Sequence, residues 1–94
     1  MNSYIYILTN KPNGTLYIGV TSDLIKRVYE HKNNIHDGFS KKYNTKNLVY
    51  YEVYENIEEA IKKEKQLKKW NRDWKIKLIS DFNPQWDDLY ERIL

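Results

Sequence analysis

The chain contains no cysteine, which excludes disulfides and thiolate-held metals and leaves the redox compartment open. Long apolar runs are missing as well. The longest, Tyr4 to Leu8 and Leu48 to Tyr51, fall far short of the roughly 20 residues that a bilayer-spanning helix needs. Met1-Asn2-Ser3 leads straight into a strand-like segment with neither a basic start nor an apolar leader, so no signal peptide is expected and a cytoplasmic location is the default. Repeats, low-complexity tracts and linkers are also absent. At 94 residues the chain has room for one domain and one core. A single domain over 1–94 is expected, with a core from about 4 to 80 and a C-terminal helical extension over 81–94.

What the sequence does have is charge in blocks. The net charge is only +3, but Lys62, Lys63, Lys65, Lys68, Lys69, Arg72, Lys75 and Lys77 face just Glu64 and Asp73 between residues 62 and 77. The tail then turns acidic, and a milder basic stretch holds Lys41, Lys42 and Lys46. Clustered Lys and Arg attract polyanions through counterion release. A lone charge run is more often a solvated helix face. The second excess is tyrosine, nine in all. Most tyrosines in a sheet pack their rings and keep the hydroxyl wet; some can stack on bases.

Residues 4–9 (YIYILT) and 15–21 (TLYIGVT) read as two strands joined by a turn at Lys11-Pro12-Asn13-Gly14. A two-residue or a four-residue loop gives the same parity of pairing. Either places Tyr6 and Leu8 on one face with Tyr17 and Gly19, and Ile5, Ile7, Ile18 and Val20 on the other. Ser22 followed by Asp23 starts a helix that runs to about Asn33, with Leu24, Val28 and Ile35 as its apolar stripe. Residues 34–46 read as a loop and Leu48 to Tyr54 as a third strand. Asn56, with Glu59 as capping partner, starts a helix from Ile57 to about Trp70, its buried stripe being Ile57, Ala60, Ile61 and Leu67. Asn71 is read as its end, Asp73 to Ile79 as a further helix, and a C-terminal piece follows Pro84. The expected fold is α+β, a three-stranded antiparallel sheet flanked by helices in the order β-β-α-β-α-α.

Three sets of residues do not fit a plain division into core and surface. Glu64 falls on the apolar stripe of its helix, three residues after Ile61 and three before Leu67. A carboxylate there needs an ion pair, hydrogen bonds or a metal. Arg27 and His31 lie one turn apart; a guanidinium suits phosphate oxygens, and an imidazole exchanges protons near neutral pH. Tyr6 and Tyr17 share a sheet face with Gly19, which lets another group approach. Each alone has an ordinary structural reading: a rim carboxylate tied to a lysine, a packed ring, a helix-surface cation. Together they supply what phosphodiester hydrolysis requires, namely metal-binding charge, a proton acceptor and a cation for the transition state.

Tyr4-Ile5-Tyr6, followed after a turn by Tyr17-Ile18-Gly19, resembles the paired strands that name the GIY-YIG nucleases. The resemblance extends through Arg27, His31 and Glu64, spans roughly Tyr4 to Trp70, and is closest to the short stand-alone bacterial branch. It implies that Glu64 binds Mg²⁺ or Mn²⁺, Arg27 stabilises the transition state, and Tyr17 orients or deprotonates water. Tyr6 and His31 are then its supports. Candidate substrate contacts are Gly19, Lys41, Lys42, Lys68 and Asn71, with DNA expected over RNA. Two positions depart from the pattern: Tyr4 replaces the leading Gly, and Val20 stands where the repair nucleases carry a Lys. The rival readings are a non-catalytic nucleic-acid-binding module and a protein-interaction domain built on Trp70, Trp74 and Trp86. The tryptophans are expected instead to fasten the last helices to the core.

Overall fold

The computed structural model describes residues 1–35 and 38–94, with the backbone alone for Phe39 and Ser40. Strands β1 (Ser3–Thr9) and β2 (Leu16–Thr21) form the expected hairpin, with Tyr6 opposite Gly19, Leu8 opposite Tyr17 and Ile7 opposite Ile18. Lys11 to Gly14 make the turn, closed by the Gly14 N–H donating to the Lys11 carbonyl at 2.9 Å, with Asn13 left-handed at φ 58°. Pro at the second position and Asn at the third suit that turn. Of the two loops that share this parity, the four-residue one is formed. Strand β3 (Asn47–Tyr54) adds antiparallel to β1, giving the order β2-β1-β3 with β1 central.

Alternation along β1 splits the core into two layers. On one face Ile5, Ile7 and Ile18 pack with Ala60, Leu67, Ile79 and Trp86. On the other, Tyr6, Leu8 and Leu48 pack with Leu24, Val28 and Leu89. The register of β3 slips between Ile7 and Leu8, so that Ile7 meets Tyr50 and Leu8 meets Leu48. Val49 is the extra residue, and consecutive Val49 and Tyr50 both join the first layer.

Helix α1 (Leu24–Lys32) lies over the tyrosine face. Its cap is Asp23 rather than Ser22: the Asp23 Oδ1 accepts from the Lys26 N–H at 3.1 Å. Ile35 does not join the stripe. It is 59% exposed, beyond the helix end and after a left-handed Asn34. The segment read as a loop contains a short helix, α2 (Phe39–Tyr43), begun at Gly38 (φ 97°) and followed by a left-handed Asn44. The expected order therefore gains one element there, and another near the C terminus.

Helix α3 (Ile57–Lys69) begins as expected, with the Asn56 side chain accepting from the Glu59 N–H at 2.8 Å. Ala60 and Leu67 are fully buried, but Ile57 is 42% exposed. Spacing defines the stripe without revealing where the sheet beneath it stops. The chain breaks at Trp70, and Asn71 starts the next helix rather than ending this one. Its Oδ1 caps α4 (Arg72–Phe82) by accepting from the Trp74 N–H at 2.9 Å. Arg72 then reaches the hairpin turn, donating to the carbonyls of Asn13 and Gly14, each at 2.6 Å.

The last residues are sewn to the bulged strand. Buried Asn83 donates to the Val49 carbonyl at 3.2 Å, Leu89 donates to the Leu48 carbonyl at 2.7 Å, and the Leu48 N–H donates to Asp88 at 3.1 Å. This segment places Trp86 in one core layer and Leu89 in the other before a last turn, α5 (Tyr90–Ile93). Among the described residues no helix is long and apolar enough to cross a membrane.

Candidate active site

Tyr6 is the hub. Its ring is fully buried, and its hydroxyl lies 3.1 Å from the Nε2 of His31, itself only 4% exposed. The rings of Tyr6, Tyr17 and His31 form a triangle, with centroids 6.1 Å apart for the two tyrosines, 5.8 Å for Tyr6 and His31, and 5.0 Å for Tyr17 and His31. Gly19 makes the triangle possible. A Cβ there would stand 2.5 Å from the Tyr6 hydroxyl and 2.6 Å from its Cζ, so no side chain fits between β2 and the ring. This is the close approach expected of that glycine, and its cause is contact rather than an unusual backbone angle.

Burial holds the Tyr6 phenol well above the ordinary tyrosine range; Tyr17 beside it adds to the rise, and Arg27 opposes it through charge and hydrogen bonding. Tyr6 therefore keeps its proton beyond the pH at which an exposed tyrosine ionises. Arg27 is held by Glu30 at 3.4 Å and stays about one-third exposed, its side chain at 36%. It lines an open cavity of about 380 Å³ together with Asp23, Lys26 and Glu30. Spacing on α1 explains the arrangement: positions 27 and 31 are one turn apart, so both side chains descend on the same buried ring.

Tyr17 is half-buried on edge strand β2 and opens to a separate groove of about 290 Å³ lined by Leu16, Ile18, Lys68 and Lys75. The Lys75 ammonium donates to the Lys68 carbonyl at 3.3 Å and also lines the adjoining cavity with Arg72 and Thr15. Lys68 binds Glu64 at 3.2 Å, and the Glu64 side chain is only 15% exposed. Tyr6, Tyr17, Gly19, Arg27 and His31 thus meet directly. Glu64 comes from α3, on the layer across the sheet, and its described link to Tyr17 runs through Lys68 around the β2 edge. Lys41 and Lys42 are exposed on α2, Lys42 over the Tyr43 ring at 5.3 Å, and Asn71 is committed as a helix cap.

Lys75 was missed by the sequence reading. It belongs to a run of lysines whose phase is lost at the break between α3 and α4, and no spacing argument crosses such a break. Among the described residues, no group of three His, Asp or Glu side chains is placed to cage a metal ion. A hard cation can be held by a single carboxylate with its shell completed by water. Glu64, largely covered yet beside the groove-lining Lys68, is the carboxylate with that character.

These features define a small α+β domain whose hairpin carries a paired-tyrosine site. The profile of the GIY-YIG catalytic domain matches residues 2–77, and the chain belongs to the GIY-YIG family. It is similar to the UPF0213 protein SSP2268 of Staphylococcus saprophyticus, 38% identical over 78 residues that cover 83% of this chain and 94% of the relative. It is equally similar to the UPF0213 protein CPE1444 of Clostridium perfringens, 38% identical with 83% of each chain covered. The solution structure of the UPF0213 protein BH0048 of Bacillus halodurans superposes with a TM-score of 0.53 at 30% identity, covering 85% of this chain and 84% of that one. The α+β fold, with its three-stranded antiparallel sheet, is that of this structural neighbour. Membership associates the chain with nuclease chemistry.

Proposed function

We propose that this chain is a metal-dependent endonuclease hydrolysing phosphodiester bonds, in DNA before RNA, acting as a single domain in the cytoplasm. The observation that carries the reading is the convergence of Tyr17, His31 and Arg27 on the buried Tyr6 phenol across Gly19. An apolar core would be served as well by Phe or Leu at position 6. A phenol held between an imidazole, a second phenol and a guanidinium is built to fix the positions of groups that carry protons and charge.

Tyr17, the more accessible tyrosine, orients the attacking water and accepts its proton once its own has left; His31, in ring contact with it, is the alternative acceptor. Arg27 presents its guanidinium donors to the charge that develops on the phosphoryl oxygens. Glu64 would hold Mg²⁺ or Mn²⁺, and the chemistry such an ion would supply is Lewis-acid stabilisation of developing phosphate charge. Lys68 and Lys75 line the groove that receives flanking phosphates, and Tyr6 and Gly19 are positioning residues. Lys41, Lys42 and Asn71 remain outlying candidates for substrate contact.

The test is nicking of a supercoiled plasmid and of labelled RNA and DNA in Mg²⁺ or Mn²⁺. Cleavage should stop in EDTA, and Glu64→Ala and Arg27→Ala should each lower it by about 100-fold or more while circular dichroism is unchanged. The pairing of Glu64 with Lys68 supports one second reading, a non-catalytic binding module in which that carboxylate is already satisfied. Nucleic-acid binding that survives EDTA, with no cleavage of any substrate, would assign the chain to that reading.

A further inference from the structure

The three tryptophans have different fates. Trp86 is buried and donates from its indole to Ser80 at 2.9 Å, so it does fasten the C-terminal segment. Trp74 does not: it is 57% exposed on α4. It is nonetheless held in place, edge-to-face against half-buried Trp70 with centroids 5.9 Å apart and ring planes at 87°. The two rings line an apolar groove of about 320 Å³ with Leu78, Lys77 and Asp81. The Lys63 ammonium stands 5.3 Å from the Trp70 ring centre, and Asp81 is balanced by Lys77 at 3.0 Å. A fixed, exposed indole on the most lysine-rich part of the chain offers a flat π surface within a positive field.

We propose that Trp74, braced by Trp70, is a stacking platform for an unpaired base of a nucleic-acid strand, so that the preferred substrate carries a single-stranded segment beside the scissile bond. The substrate assignment rests on the nuclease reading above; the contact itself does not. Charge favours this occupant, because Lys63 flanks the rings, Lys77 offsets the one acid in the groove lining, and Lys75 lines the Tyr17 groove from the next position of the same helix. Adjacent helical positions point about 100° apart around a rod about 10 Å wide, so one strand can lie in the groove and turn a base onto Trp74. A duplex keeps its bases stacked on one another and has no free face to give the indole, whereas a single strand does.

The experiment is fluorescence anisotropy in EDTA with labelled oligodeoxythymidine and a blunt duplex, using the full chain, Trp74→Ala and Trp74→Phe. Trp74→Ala should weaken oligodeoxythymidine binding about tenfold and leave duplex binding unchanged, and Trp74→Phe should restore most of the loss. Equal weakening of both probes, or no weakening of either, overturns the platform. So does sedimentation showing a dimer that Trp74→Ala dissociates, which would assign the patch to a second copy of the chain. The two proposals fail separately. A chain that cuts nothing yet loses the oligonucleotide on Trp74→Ala refutes the nuclease reading and keeps this contact. A chain that cuts while Trp74→Ala binds oligodeoxythymidine normally does the reverse.

Discussion

Adding one methyl group at position 19 should damage this protein about as much as truncating a core side chain would. The Cβ of Gly19→Ala would stand 2.5 Å from the Tyr6 hydroxyl, 2.6 Å from Cζ and 2.9 Å from Cε1, against ordinary contacts of 3.4 Å or more. The ring must therefore retreat by roughly 1 Å, and it is fully buried among packed neighbours with no flexible end to move. Overpacking of this kind costs about 1–3 kcal/mol. The same shift strains the 3.1 Å contact with His31, worth about 0.5–1.5 kcal/mol more. A total of about 2–4 kcal/mol corresponds to a melting temperature lower by roughly 10–25 °C in a domain of this size. Thermal unfolding followed by circular dichroism measures it, with Tyr6→Leu as the second arm. In the Tyr6→Leu background the same methyl meets no ring, so the double variant should recover at least about 1 kcal/mol relative to additivity. A Gly19→Ala melt within a few degrees of the parent, or an equal loss in both backgrounds, would refute the close-approach account.

Asn83→Ala should be nearly as costly, since the buried amide donates to the carbonyls of Val49 and Asp87 and accepts from the Asp87 N–H. Urea unfolding should show a loss of about 2–4 kcal/mol, and a loss below about 1 kcal/mol would mean the C-terminal segment is held by Trp86 and Leu89 alone. Alkaline pH should also destabilise the fold. Tyr6 is raised mainly by burial, and Tyr50 and Tyr54 by burial and by donating to Glu52. A folded-state value above the unfolded one near 10 means that this stability is complete below pH 10 and is lost as pH rises beyond it. Tyrosinate absorbance should show these rings ionising only with unfolding, and Glu52→Gln should let Tyr50 and Tyr54 titrate earlier while leaving Tyr6 where it is.

The sheet and the tyrosine triangle were legible because alternation is a strict rule. Once the turn was placed at Lys11 to Gly14, either plausible loop length put Tyr6 on the same face as Tyr17 and Gly19, and the register agrees. The Asn56 cap was legible for the same kind of reason, a local hydrogen bond with a fixed reach. The bulge at Val49 was not. Leu48-Val49-Tyr50-Tyr51 is apolar at every position, so no alternation exists whose phase could slip. Helix α2 has too few residues, and too few apolar ones, to show a period. Arg72 and Lys75 were hidden in a basic run that spans two helices. Only the break at Trp70 turns Arg72 toward the hairpin turn and Lys75 toward Tyr17's groove.

The division of labour between the two tyrosines follows from their depth. A proton acceptor must reach water, and a residue that keeps its proton against a raised threshold cannot accept one. Tyr6 fails both conditions, being fully buried and shifted upward, while Tyr17 meets the first by lining an open groove on an edge strand. Nor is the pair interchangeable by sequence, although both are tyrosines in matched motifs. Position 6 lies on the central strand, where both edges are paired; position 17 lies on β2, whose outer edge is covered by no strand among the described residues. On the proposed reading, the inner phenol is therefore suited to support and the outer one to contact with the attacking water. The same edge is where Lys68 of α3 meets β2, so on that reading Glu64 acts around this edge and not through the sheet.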